Sequence, residues 1–375
     1  MAPAVQPKGS GIVTVSPPGI DLLIRQPNLE PNRLLTSLRP GRRFEQVRFS
    51  NYMPNPAFPS QAEGRQRLEQ FIQHLNRPEV PSLLSRLFRR ARPEGRGLYL
   101  DGGFGVGKTH LLVSAYFAVL GDGAPAHPEL PQPVKLAGFQ ELMSIIGVLG
   151  MPRAIQAFAE VKLLCIDEFE LDDPGNTHLA NTFLGEIMTR GTHVLATSNT
   201  PPGALGEGRF NAARFQEQIR ALTTHFEALR IDGTDFRQQG YPSRDLLSPR
   251  EYQTWATRQD PNTLAQLGSE ELQHLLLAVH PAALSSLLEG VEALGVVNLT
   301  PMTHPKKALR ENTAIRFVHF IDRVYELGLR VGLTGVSLDD LFHESYRERG
   351  YAKKYARCLS RLAEMTSETR RSLHT

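Results

Sequence analysis

Eight consecutive residues, Gly102-Gly103-Phe104-Gly105-Val106-Gly107-Lys108-Thr109, spell the pattern G-x-x-x-x-G-K-[ST]. That pattern restricts the fold, because it works only between a buried strand and the start of a helix. Gly97, Leu98, Tyr99 and Leu100 make the short apolar run expected of the strand. Leu111, Leu112, Ala115, Tyr116 and Val119 recur at helical spacing and predict the helix. Glycines let successive backbone N–H groups face phosphate oxygens, and the new helix adds the positive end of its dipole. Lys108 is placed for the β- and γ-phosphates and the Thr109 hydroxyl for Mg²⁺, with His110 completing the junction. The GKT tail and both flanks set this segment apart from a glycine-rich turn that binds nothing. The expectation is ATP with Mg²⁺, held by residues 102–110.

A second landmark follows at residues 161–168, where an apolar run through Leu163, Leu164, Cys165 and Ile166 delivers Asp167 and Glu168. A strand ending in Asp-Glu is a common pattern by itself, but downstream of a phosphate loop it has the form of a Walker B motif. Asp167 is then the residue that holds Mg²⁺ through water, and Glu168 the one that orients and deprotonates the attacking water. Residues 193–199 form another apolar strand ending in Thr197, Ser198 and Asn199. Its position assigns Asn199 to the γ-phosphate, where an amide positions water; the plainer reading is a strand-end turn closed by Pro201 and Pro202. Arg209, Arg214 and Arg220 are the candidates for an arginine presented to a neighbouring subunit's phosphate.

Composition sets the frame around these motifs. The chain of 375 residues is long enough for two or three domains, and 41% hydrophobic with 22% charged residues is ordinary for a globular protein. A net charge of +3 gives no global field for nucleic acid. Arginines do cluster locally, at Arg39, Arg42, Arg43 and Arg48 and again at Arg86, Arg89, Arg90, Arg92 and Arg96. A solvated helix face explains such runs; a nucleic-acid, acidic-partner or anionic-lipid surface is the alternative. The two cysteines, Cys165 and Cys358, build no disulfide framework, and the histidines show no metal-ligand spacing. No apolar run reaches the ~20 residues of a membrane span, and no signal peptide is legible, so the expected location is cytoplasmic.

Along the chain, residues 1–48 read as a Pro- and Arg-rich leader, partly disordered, with a short strand at 11–15. Residues 49–245 read as the α/β core: an amphipathic helix carries Leu68, Phe71, Ile72 and Leu75, and strands are expected at 134–137 and 226–231. Residues 246–375 read as a mostly helical, lid-like domain. Its apolar stripes fall at Leu272, Leu275, Leu276 and Val279, at Ile315, Val318, Ile321, Val324 and Tyr325, and at Leu359, Leu362 and Met365, with one strand at 296–299.

Together these residues resemble one AAA+ family, that of the ZapE-type bacterial cell-division ATPases and the mitochondrial lactation-elevated (ATPase family gene one) proteins. Residues 49–366 carry the resemblance. Its most specific pieces are residues 99–109, residues 163–169 and the run Ala196-Thr197-Ser198-Asn199-Thr200-Pro201-Pro202. Downstream, Arg316-Phe317 with Phe320-Ile321-Asp322-Arg323-Val324-Tyr325-Glu326, and Ser360-Arg361-Leu362-Ala363-Glu364-Met365, are signatures that a generic AAA+ protein lacks. The resemblance implies a P-loop AAA+ three-layer core with a parallel sheet, and ATP hydrolysis by Lys108, Thr109, Asp167, Glu168 and Asn199. It implies a homo-oligomer that remodels a protein partner, a division-ring component in bacteria, with peripheral membrane contact open. Arg357 and Arg361 match family arginines; Arg361 is the first choice for a group that reaches the phosphates, against helix packing with a salt bridge to Glu364. Departures exist: Asn211-Ala212 stands where the family has Gln-Arg, so the finger is Arg209 or Arg214 or is missing; Asn176 replaces an Asp, and Lys135-Leu136-Ala137-Gly138-Phe139 replaces a His- and Phe-containing segment. A DNA-handling AAA+ loader and a nucleotide-gated binding module are the alternatives.

Overall fold

Strands with apolar residues on both faces must be covered on both sides, and the core of this protein is built that way. The computed structural model describes residues 19–76, 94–121, 132–171, 174–205, 224–234, 244–303, 309–344 and 351–374. The chain divides into two units, one made of Asn28–Gln239 with Pro281–Ala283, the other of Met1–Pro27, Gly240–His280 and Leu284–Thr375.

In the first unit, helices α1 (Pro31–Thr36) and α2 (Pro59–Asn76) precede β1 (Gly97–Gly102) and α3 (Lys108–Leu120). Then come β2 (Val134–Gly138), α4 (Phe139–Leu149), α5 (Met151–Ala157), β3 (Leu163–Asp167), α6 (Pro174–Thr189), β4 (His193–Ser198) and β5 (Phe226–Ile231). The five strands are parallel in the order β2-β3-β4-β1-β5. Alternation along each strand sorts the side chains. Leu164, Ile166, Val194 and Ala196 face the layer of α4, α5 and α6, whereas Leu163, Cys165 and Leu195 face α2 and α3. Cys165 is fully buried, a small core side chain as its setting predicts. α4 buries Phe139, Leu142, Met143, Ile145, Ile146 and Leu149, each contributing about 1.5–3 kcal/mol of transfer free energy at most. Gly150, at φ 75°, ends it.

From residue 19 on, the leader has defined structure, and the strand foreseen at 11–15 lies outside the described residues. α1 closes the outer edge of β2: the Leu136 N–H donates to the Leu38 carbonyl at 3.0 Å, and Lys135 Nζ donates to the Leu35 carbonyl at 2.9 Å.

The second unit is rich in helices: α7 (Pro249–Thr257), α8 (Ser269–Ala278), α9 (Leu284–Leu287), α10 (Leu309–Leu327), α11 (Leu338–Leu341) and α12 (Ala352–His374). It also holds a three-stranded parallel sheet, β6 (Leu264–Gly268), β7 (Ala293–Leu299) and β8 (Arg330–Gly335), of which the apolar pattern marks only 296–299. α7 starts at a capping box, in which the Ser248 hydroxyl accepts from the Glu251 N–H and the Glu251 carboxylate accepts from the Ser248 N–H. Tyr252 and Trp255 of this helix lie over the sheet where Gly295 and Gly332 pair, and a Cβ at Gly332 would stand 2.2 Å from the Trp255 ring. Ile20 bridges to Ala265, and Arg25 donates to the carbonyls of Leu287 and Glu289, so residues 20–25 belong to this unit. Among the described residues, no helix is long and apolar enough to cross a membrane.

Candidate nucleotide site

The site grows out of the C-terminal ends of β1, β3 and β4, where open parallel sheets place their ligands. β1 runs into the glycine loop and α3 begins at Lys108. Two glycines there have demonstrable reasons. Gly107 has φ 96° and packs against Tyr52, whose ring a Cβ would meet at 2.7 Å; a Cβ on Gly102 would meet the Ile231 carbonyl at 2.1 Å.

Lys108 Nζ donates to the carbonyls of Gly102 (3.0 Å) and Gly103 (2.5 Å) and to Asn199 Oδ1 (3.0 Å). Asn199, brought by β4, therefore stands at the same corner as the lysine. Thr109 Oγ1 lies 3.2 and 3.1 Å from the two carboxylate oxygens of Asp167 and donates to them. A hydroxyl and a buried carboxylate side by side form the hard-oxygen donor set that Mg²⁺ takes together with phosphate oxygens. Loop, lysine and donor set all fit a magnesium nucleoside triphosphate. Among the described residues, no group of three or more His, Cys, Asp or Glu side chains gathers for a metal, so these two residues would hold the ion with the phosphates.

Glu168 follows Asp167 with φ 57°, in the left-handed region that glutamate rarely enters. Its N–H donates to Thr197 Oγ1 at 3.1 Å, and the same hydroxyl donates to Asp167 Oδ1. The next N–H, of Phe169, donates to the Thr197 carbonyl at 2.7 Å. Thr197 is thus the hub of the Asp-Glu turn, a role that reading the motif for its last residue, Asn199, passes over.

His110 turns toward residues 48–52. Its Nε2 lies 3.1 Å from the Arg48 carbonyl and 3.0 Å from Asn51 Oδ1, two acceptors, so that nitrogen carries the hydrogen. Burial lowers the imidazole pKa, and the hydrogen bond to the Arg48 carbonyl opposes that shift. Tyr52 lies beside His110, ring centroids 5.2 Å apart, and burial pushes its phenol up to about 12. Arg230, at the end of β5, also went unread in the sequence; its Nη1 donates to the buried Asp101 at 2.6 Å, just before the glycine loop.

The arginines divide. Arg209, Arg214 and Arg220 lie outside the described residues, as do Arg86, Arg89, Arg90 and Arg92. Arg48 of the first basic cluster is committed internally, donating to the Glu45 and Val47 carbonyls and stacking 3.8 Å from the Phe117 ring centroid. Arg357 and Arg361 are buried, at 5% and 3% exposure, and both donate to Asp322 on α10. Asp322 is thus one partner of Arg361, reached on another helix, and Glu364 accepts from the Tyr325 hydroxyl at 2.9 Å. Asp322 and Tyr325 come from one downstream signature and Arg361 and Glu364 from the other, so the two signatures pair with each other. Arg316 of the first caps α8, donating to the Leu276 and Val279 carbonyls.

Comparison with known proteins gives the family of the chain. The family model described as AFG1-like ATPase matches residues 32–276 and 270–372. The cell division protein ZapE of Escherichia coli (strain K12) is 29% identical over 308 residues, which cover 73% of this chain and 78% of that protein. Among solved structures, domain III of the Thermotoga maritima replication initiation protein DnaA aligns with a TM-score of 0.37 and 16% identity, over 52% of this chain and 71% of that one. A DnaC helicase loader aligns with a TM-score of 0.35 and 16% identity, over 51% and 99%. Likenesses that distant carry no part of the assignment.

Proposed function

The chain belongs to the AFG1-like ATPase family, and we propose that it hydrolyses ATP to ADP and phosphate with Mg²⁺ at residues 102–110, 167–168 and 199. The observation that carries this reading is the meeting of three elements at one corner. Lys108 touches Asn199, and Thr109 touches Asp167, whose neighbour is Glu168. Bound Mg²⁺ supplies Lewis-acid charge to the phosphate oxygens. Lys108 compensates charge developing on the γ-phosphoryl group, and the α3 N-terminus and loop N–H groups hold the rest of the phosphate chain. Glu168 accepts the proton of the attacking water, and Asn199 orients that water or the γ-phosphate.

The resemblance to ZapE, a cell division protein, extends the proposal to its purpose. ATP turnover drives remodelling of a protein partner in cell division, by a homo-oligomer in which Arg214 of one subunit completes the site of the next. The test is steady-state hydrolysis by the wild type and by Glu168→Gln across a range of protein concentration. Expected are a loss of about 100-fold or more in turnover for the variant with ATP binding kept, and wild-type specific activity that rises with concentration. ATP binding without hydrolysis by either protein, at any concentration, would replace hydrolysis with nucleotide-gated binding as the best reading.

A further inference from the structure

We infer that Thr197 is a positioning residue of the site, the single group that sets both the metal-holding carboxylate of Asp167 and the turn that aims Glu168. The inference rests on the hydrolytic reading above and adds a residue to it.

The placement follows from sheet register. β3 and β4 pair in parallel through Ile166 and Ala196, so Asp167 and Thr197 stand side by side one step further on. Both follow the alternation of Cys165 and Leu195 onto the face that looks at α3, where Thr109 sits. A threonine hydroxyl has one hydrogen to give and lone pairs to accept with. Here the hydrogen goes to Asp167 Oδ1, and a lone pair takes the Glu168 N–H. Thr197 is 1% exposed, so water cannot replace either bond.

Glu168 shows what the bonds achieve. With φ 57°, its backbone turns the way glycine or asparagine would, and its N–H is fixed by the Thr197 hydroxyl. That turn separates the directions of two consecutive carboxylates: Asp167 remains on the α3 face beside Thr109, and Glu168 leaves the strand. A β-branched residue at 197 also has few rotamers, which keeps the hydroxyl pointed at this turn. Removing the hydroxyl takes away one of the hydrogen bonds that fix Asp167, leaving those from Thr109, and removes this acceptor of the Glu168 N–H. The metal-holding group and the catalytic base then lose their alignment together, while the glycine loop and Lys108 remain as they were.

The test compares wild type, Thr197→Val, Thr197→Ala and Thr197→Ser in the full chain. Affinity for a fluorescent, non-hydrolysable ATP analogue is measured with and without Mg²⁺, beside kcat, KM and thermal unfolding. Expected for Val and Ala is magnesium-free binding within about 3-fold of wild type, with the strengthening of binding by Mg²⁺ and kcat each falling about 10–100-fold. Thr197→Ser restores both to within about 5-fold, because the hydroxyl returns without the methyl group. If Val does not fold, Ala against Ser decides alone. Normal Mg²⁺ dependence and kcat in Val or Ala, or a Ser variant as impaired as Ala, overturn the inference while leaving the ATPase reading intact. A wild type that binds the analogue without hydrolysing it still tests the inference through Mg²⁺ dependence. A wild type that does not bind nucleotide overturns both.

Discussion

The two units use one device at corresponding places in their parallel sheets, to different ends. In the first, Glu168 at the end of β3 has φ 57° and its N–H bonds to the hydroxyl of Thr197 on β4. In the second, Asn298 near the end of β7 has φ 55° and its N–H bonds, at 3.0 Å, to the hydroxyl of Thr334 on β8. These are the two non-glycine residues with positive φ among the described residues. The residue before the turn is Asp167 in one unit and Val297 in the other, both buried. Asparagine enters the left-handed region readily, whereas glutamate must be held there. The same backbone turn thus forms a bulge within β7 in the second unit, where pairing with β8 resumes at Leu299, and, in the proposed mechanism, aims two carboxylates in the first. A parallel sheet with a threonine-held turn is scaffolding; the glycine loop and the Asp-Glu pair make it a site.

The contrast can be attacked by substitution. Glu168→Gln should give the largest effect, lowering turnover about 10²–10⁴-fold while the analogue still binds; a variant that retains full activity would remove the base from the mechanism. In the second unit the largest effect should be on stability. Asp322→Asn leaves Arg357 and Arg361 buried without their shared carboxylate and should cost about 3–5 kcal/mol in denaturant unfolding. Burial alone would raise the Asp322 carboxyl, but the two guanidinium groups outweigh it and hold it from 3.8 down to about 2. The stability it contributes is complete above pH 3.8 and lost as pH falls toward 2, so the variant should flatten that acid limb. Unchanged stability in Asp322→Asn would show that the pair is not structural.

Gly332→Ala should come next. Its Cβ meets the Trp255 ring at 2.2 Å, and overpacking of that kind costs about 1–3 kcal/mol, read as a lower urea midpoint. Thr334→Val should have the smallest effect, about 1 kcal/mol for the lost bond to Asn298, with nucleotide binding and turnover unchanged. A Thr334→Val variant that impairs turnover as Thr197→Val is expected to do would erase the distinction between the two turns.

Much of the core was legible because its signals are local. Residues 139–149 carry a helical stripe and fold as α4, and the segment 226–231, expected as a strand, is β5. β6 and β8 were not legible. Leu264–Gly268 is short and has Gln266 at its centre, and Arg330–Gly335 contains two glycines, which weaken any strand pattern. Gly332 is there because Trp255 occupies the space of a side chain, a reason that lies 77 positions upstream in the chain.

The sequence by itself marked out the glycine loop, since eight contiguous residues carry the whole pattern with its lysine and its hydroxyl. It determined family membership as well, through signatures far from that loop. Which groups those signatures touch was decided only by tertiary structure. Arg361 reaches Asp322, 39 positions distant on α10, a contact that no spacing along its own helix shows. Thr197 reads as one more residue of a buried strand until register sets it against Asp167 and Glu168. Contacts between strands and between helices depend on which faces pack together, and packing is settled by burial over the whole unit rather than by any neighbour in the chain.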